Sequence, residues 1–209
     1  MNWMEMTQRE FMAALASSSP TPGGGTAAAV ALGQAASLSI MVADLTLSNE
    51  KWSDGWPVAE RVQRSAIPMM GASGDLAQQD SDAFDEVMAS FKLPKGDDEE
   101  VNARRTAIRA ATLHAAEVPY ETACKAAELL AMLPELAAKG NANAVSDVGV
   151  AGLLASAAAK GALFNVEINL NGLPAEMGET IRSQLDSVKE QVRTDGRLVM
   201  DAVRDRLNG

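Results

Sequence analysis

The sequence predicts an all-α protein, and three observations carry that prediction. Apolar residues make up 47% of the chain but aromatic residues only 4%, so the core is built from Ala, Leu, Val and Met. Strands draw on β-branched and aromatic side chains, whereas Ala, Leu and Met are good helix formers. Helix starts and stops then succeed one another with almost no strand signals between them. Small residues also recur along Thr26 to Leu47 (Ala27, Ala28, Ala31, Ala35, Ala36 and Ser39), which lets neighbouring helices approach closely. The expected architecture is a single-domain bundle of seven to nine helices over residues 1–209.

The elements follow in order. Thr7-Gln8-Arg9-Glu10 is a capping box, in which the Thr hydroxyl and Glu carboxylate satisfy free amides at a helix start. That short helix stops in Ser17-Ser18-Ser19-Pro20, and Pro20-Thr21-Pro22-Gly23-Gly24-Gly25 introduces a long one from Thr26 to Leu47. The long segment has the length of a membrane span. Gln34, Ser37, Ser39 and Asp44 interrupt it, however, and Ala outweighs Leu, so it reads as a buried central helix. A loop with Trp52, Trp56 and Pro57 leads into a third helical stretch reaching about Ser90, kinked or divided at Pro68.

A charged loop from Lys92 to Glu100 precedes a helix from about Asn102 to Glu117. Pro119 opens another that ends near Leu133, and Pro134 begins a short one ending at Gly140. Asp147 is placed to cap a helix continuing through Phe164 to Leu170. After Leu173-Pro174, a last amphipathic helix carries Ile181, Leu185, Val188, Val192, Leu198 and Val199 on its apolar side.

Composition narrows the function classes. With 18 Lys+Arg against 28 Asp+Glu, the net charge of −10 argues against general nucleic-acid binding, which needs a basic face. The single cysteine, Cys124, builds no disulfide framework and reads as a small apolar filler. His114 is the only histidine, so neither a His-based metal site nor a catalytic triad assembles, and it reads as a helix-surface residue. No charged start followed by an apolar stretch opens the chain, so a cytoplasmic protein without a membrane partner is expected.

Four stretches carry candidate chemistry. Gly23, Gly24 and Gly25 leave backbone amides uncovered before a helix, where the dipole favours an anion. Taken alone, a tight turn allowing close packing explains the same glycines. Asp80 and Asp82, two apart, do not share a helix face, so one can point inward while the other is solvated. A buried carboxylate serves as a general base or binds amino groups of a substrate; a plain solvated face is the simpler explanation. Arg104 and Arg105 near a helix start point to an anionic partner. Asn141, Asn143, Ser146 and Asp147 form a polar loop with more polar groups than capping needs.

Together these stretches resemble the formiminotetrahydrofolate cyclodeaminase / methenyltetrahydrofolate cyclohydrolase family. The resemblance rests on Pro20-Thr21-Pro22-Gly23-Gly24-Gly25-Thr26 with Met41-Val42-Ala43-Asp44-Leu45-Thr46, and on Asp80-Ser81-Asp82-Ala83-Phe84 and Leu93-Pro94-Lys95. It continues through Arg104 with Val118-Pro119, Gly140-Asn141 with Ser146-Asp147, and Phe164-Asn165-Val166 with Ile168-Asn169-Leu170. These landmarks span nearly the whole chain in the family's order. Two departures stand out: Leu47-Ser48-Asn49-Glu50-Lys51-Trp52 stands where the family usually has a Gly and one or two basic residues before an aromatic, keeping one lysine and the aromatic, and Arg109 stands where glutamine is common.

The resemblance implies a homodimeric helical enzyme acting on tetrahydrofolate derivatives, with no metal and no cofactor beyond the substrate. It implies hydrolysis of 5,10-methenyltetrahydrofolate to the 10-formyl compound, since no formiminotransferase domain accompanies this module. The alternatives are cyclodeamination of the 5-formimino compound with release of ammonia, or an inactive helical dimer binding folate or protein. Asp80 or Asp147 would transfer protons or hold the pterin, and Arg104 would hold an anion. Asn141 and Ser146 would orient the substrate beside Lys51 and the Gly23 to Gly25 amides, in a pocket at the dimer interface.

Overall fold

The structure, a computed structural model, describes residues 3–209, and its regular elements there are helices. They are α1 (Gln8–Leu15), α2 (Gly24–Leu47), α3 (Trp56–Ser90), α4 (Asp98–Lys139), α5 (Val145–Asn171) and α6 (Glu179–Asn208). Short 3-10 segments cover Trp3–Glu5, Glu50–Gly55 and Ala142–Ala144. The expected capping box opens α1: Thr7 N donates to Glu10 Oε2 at 2.8 Å, and Glu10 N donates to Thr7 Oγ1 at 3.3 Å.

Six α-helices stand where the sequence predicts seven to nine, and the difference lies in the prolines. Pro68 sits inside α3, and Pro119 and Pro134 sit inside α4, which runs unbroken for 42 residues. A proline in a helix forfeits one backbone bond and frees the carbonyl four residues earlier. For Pro119 that carbonyl belongs to Ala115, and Asn169 Nδ2 on α5 donates to it at 2.7 Å. The missing partner comes from the neighbouring helix, which no local pattern shows. Asn169→Ala leaves that carbonyl unpaired, and a stability loss of about 1–3 kcal/mol is expected in urea unfolding.

The remaining elements form a core of closely packed helices. α2 lies against α3 and α5, while α4 packs on α3, α5 and α6. Leu32, Val42, Val58, Val62, Leu129, Leu130, Leu133 and Val148 are fully buried, with Ala29, Ala35, Ala36 and Ala59 between them. The small residues of α2 do what their spacing predicts: a Cβ on Gly33 would stand 2.4 Å from Ser73 Oγ of α3. On α6, Ile181, Val192 and Val199 are buried, but Leu198 is 48% exposed. It falls one position off the apolar stripe that Val192 and Val199 define.

Two features bear on function. Thr26 and Thr46 stand near opposite ends of α2, about 30 Å apart at the helical rise. Apolar side chains also remain uncovered along α2 and α5. Met41 and Leu45 are exposed on α2, and Leu153, Phe164 and Ile168 on α5 are 58–70% exposed. Beside them α1 buries none of its own residues, and with α2 it borders a cavity of about 770 Å³.

Candidate active site

The first cluster forms where α3 meets the start of α2. Gly25 passes so close to Asp80 that a Cβ there would lie 2.0 Å from Asp80 Oδ1. Only glycine allows this approach, so close packing is one reason for the glycine run. Thr26 Oγ1 donates to Asp80 Oδ2 at 2.9 Å and lies 3.1 Å from Ser81 Oγ. Trp3 Nε1 donates to Ser81 Oγ at 2.9 Å. Because Thr26 gives its only hydroxyl proton to the carboxylate, Ser81 must donate to Thr26. Trp3, Ser81, Thr26 and Asp80 thus form a chain of donors ending on the carboxylate.

Burial pushes the Asp80 carboxyl above its ordinary value, and the bond from Thr26 pulls part of that shift back. Asp80 borders a cleft of about 270 Å³ with Gly23, Gly24, Phe84, Asn165 and Asn169. Asn165 Nδ2 donates to Gly161 O at 3.0 Å, as Asn169 Nδ2 does to Ala115 O at 2.7 Å, which fixes both side chains at the cleft wall. Asp82 points away, is exposed, and accepts from Gln78 Nε2 at 2.8 Å. The pair therefore diverges as its spacing predicts. Thr26→Val removes the side-chain bond that favours the ionised carboxylate and leaves only the weaker effect of the Thr26 backbone. The acid limb of a kcat/KM pH profile is expected to move to higher pH in that variant.

The second cluster lies at the other end of α2. Thr46 Oγ1 accepts from Asn141 N at 3.0 Å, and Asn141 Nδ2 donates to Leu45 O at 3.2 Å. Asn141 Oδ1 accepts from Asn143 N at 3.0 Å, so this side chain is occupied in fixing the turn between α4 and α5. Ser146 is exposed and Asp147 half-buried. The expectation that Asp147 caps α5 is corrected: the cap position is Ala144, and Asp147 sits in the first turn, where its charge meets the helix dipole. Nearby, Lys51 Nζ lies 4.7 Å and the Arg206 guanidinium 5.5 Å from the centre of the Trp52 ring.

Arg104 belongs to neither cluster. Since α4 begins at Asp98 rather than Asn102, Arg104 is in its second turn. Its Nε and Nη2 donate to Phe91 O at 3.3 and 3.0 Å, closing the end of α3, and it lies over the Phe91 ring. His114, exposed as expected, sits 3.0 Å from Glu86 Oε2 through Nδ1. Cys124 is half-buried on α4, and burial pushes its thiol up.

One protomer therefore unites Asp80 with Gly23 to Gly25, and at the other end of α2 it gathers Lys51, Trp52 and Arg206 beside Gly140 and Asn141, with Ser146 and Asp147 following in the first turn of α5. It does not bring the two sets together. Sequence reasoning missed Thr26, Ser81 and Trp3 as partners of Asp80, and it missed Arg206 altogether. Thr26 and Ser81 adjoin residues already singled out; for Trp3 and Arg206 no local signal exists.

The fold and the clefts define, over the described residues, an all-helical protein that presents a half-buried carboxylate to a small cleft. Comparison with known proteins makes this specific. Residues 7–187 match the formiminotransferase-cyclodeaminase family. The chain is 32% identical to the methenyltetrahydrofolate cyclohydrolase of Methylorubrum extorquens, over 97% of this chain and 98% of that protein. It is 29% identical to the formimidoyltransferase-cyclodeaminase of Rattus norvegicus, of whose length it spans 38%. It superimposes on the formiminotetrahydrofolate cyclodeaminase of Thermotoga maritima with a TM-score of 0.85 and 28% identity, covering 97% of this chain and 98% of the other. The chain belongs to the formiminotransferase-cyclodeaminase family.

Proposed function

We propose that the protein is a folate one-carbon enzyme that hydrolyses 5,10-methenyltetrahydrofolate to 10-formyltetrahydrofolate. The observation that carries this reading is the half-buried Asp80 carboxylate facing the cleft, its pKa raised by burial above the ordinary carboxylate value. The full-length similarity to a cyclohydrolase selects the reaction. Water adds to the methenyl carbon, and Asp80 takes the proton this water releases. Protonation of N5 by Asp80 then lets the carbon–N5 bond break, while the new hydroxyl loses its proton to solvent and becomes the formyl oxygen on N10. The steps need proton transfer and charge stabilisation and no electron sink, so no cofactor besides the folate is required.

The second reading is cyclodeamination, favoured by the likeness to the Thermotoga maritima protein. There N10 attacks the formimino carbon of the 5-formimino compound, and Asp80 would protonate the departing ammonia. Incubation with each substrate in turn, following the methenyl chromophore, tests both readings. Accelerated loss from the methenyl compound supports hydrolysis, and appearance with ammonia release supports deamination. Rates equal to a protein-free control in both assays overturn the catalytic assignment.

The reading includes a homodimer whose active site is shared. The Asp80 cleft lies about 30 Å along α2 from the Lys51, Asn141 and Asp147 cluster, too far for one small substrate to touch both in one protomer. A two-fold axis crossing the α2 and α5 faces would run these helices antiparallel to their copies. That arrangement covers Met41, Leu45, Leu153 and Phe164, all uncovered in one chain. It also sets one protomer's Asp80 beside the partner's Asp147 end.

A further inference from the structure

We infer that Lys51, Trp52 and Arg206 form a subsite for the glutamate carboxylates of the substrate, an inference that rests on the folate reading above. Two cations share one indole: Lys51 Nζ at 4.7 Å and the Arg206 guanidinium at 5.5 Å from the ring centre. Neither pairs with a carboxylate among the described residues, although the chain carries ten more acidic than basic side chains. Arg206 Nη2 donates to Gly140 O at 3.3 Å, which holds the side chain in place, while its Nε is buried without a partner. Two cations gathered at one indole without a carboxylate partner give this end of the molecule a local positive charge that an anion neutralises.

The surroundings favour an anion as well. Gly140 leads directly into the turn before α5, whose cap position Ala144 makes no side-chain cap bond, so the positive end of that helix's dipole lies at this turn. The subsite stands at the far end of α2 from its own Asp80, so it serves the cleft of the second copy: the pterin lies at one protomer's Asp80 and the tail at its partner's Trp52.

The test is binding of p-aminobenzoyl-L-glutamate, read as quenching of tryptophan fluorescence with Trp52→Phe as the control for the reporting ring. Saturable quenching is expected with this probe and not with neutral p-aminobenzamide. Arg206→Gln and, independently, Lys51→Gln are each expected to weaken binding at least about tenfold. Both are also expected to raise KM for 5,10-methenyltetrahydrofolate by a similar factor. Unchanged affinity in both variants overturns the subsite, and so does equally tight binding of inorganic phosphate or p-aminobenzamide. If the wild-type protein turns over neither folate, the enzymatic reading fails by itself, while the binding measurement still decides the subsite.

Discussion

Asp80→Asn is expected to lower kcat by about 10²–10⁴-fold, the range of a lost general acid–base group, and to make the folded protein more stable at neutral pH. Both effects come from one cause. Among the described residues the cleft buries a carboxylate that accepts a side-chain bond from Thr26 alone, and burial holds its folded-state pKa above the unfolded value. Below the unfolded pKa both states are protonated, so the contribution to stability is fully present. As the pH rises through the folded pKa, the unfolded chain ionises more readily, and stability is lost. Asparagine cannot ionise, so the variant escapes that loss. Thermal unfolding across pH should show a gap in Tm between variant and wild type that is small at acid pH and widens towards neutrality. Retention of most of the activity would remove Asp80 from the mechanism, and a Tm gap independent of pH would show that its burial costs nothing.

Mixing two inactive variants is expected to restore activity. If Asp80 of one protomer works with Asp147 of its partner, Asp80→Asn and Asp147→Asn each disable both sites of their own homodimer. Unfolding and refolding the two together gives half heterodimers, each carrying one site with both aspartates intact. Activity should then rise from near background to about a quarter of the wild-type value, from statistics alone. Separate sites within each protomer predict no gain on mixing. The experiment also tests the covered α2 and α5 faces, because Leu153→Glu and Phe164→Glu on the exposed stripe should give monomers and remove the recovery.

Much of this was legible in the sequence. Low aromatic content and succeeding helix signals predicted an all-α fold, and the divergence of Asp80 and Asp82 followed from helical geometry. The family itself was legible as an ordered set of polar landmarks, and the match over residues 7–187 agrees. The prolines misled, because a proline reports only the backbone bond it removes and not the partner that replaces it. Asn169, 50 residues beyond Pro119 and on another helix, takes up the carbonyl that this proline frees within α4.

The candidate site divides along the same line. Residue type and local spacing by themselves determined which side chains were suited to chemistry: glycines before a helix, an inward aspartate, a polar turn. Those are local properties, set by helical period and by the chemistry of each group. Only the tertiary structure decided which of them meet. It placed Thr26 and the Trp3–Ser81 pair behind Asp80, gave Arg104 to the end of α3, and joined Arg206 to Trp52 across more than 150 residues. It also put the two polar sets at opposite ends of α2. The physical reason is that burial, and with it the raised pKa of Asp80, comes from packing between segments distant in the chain.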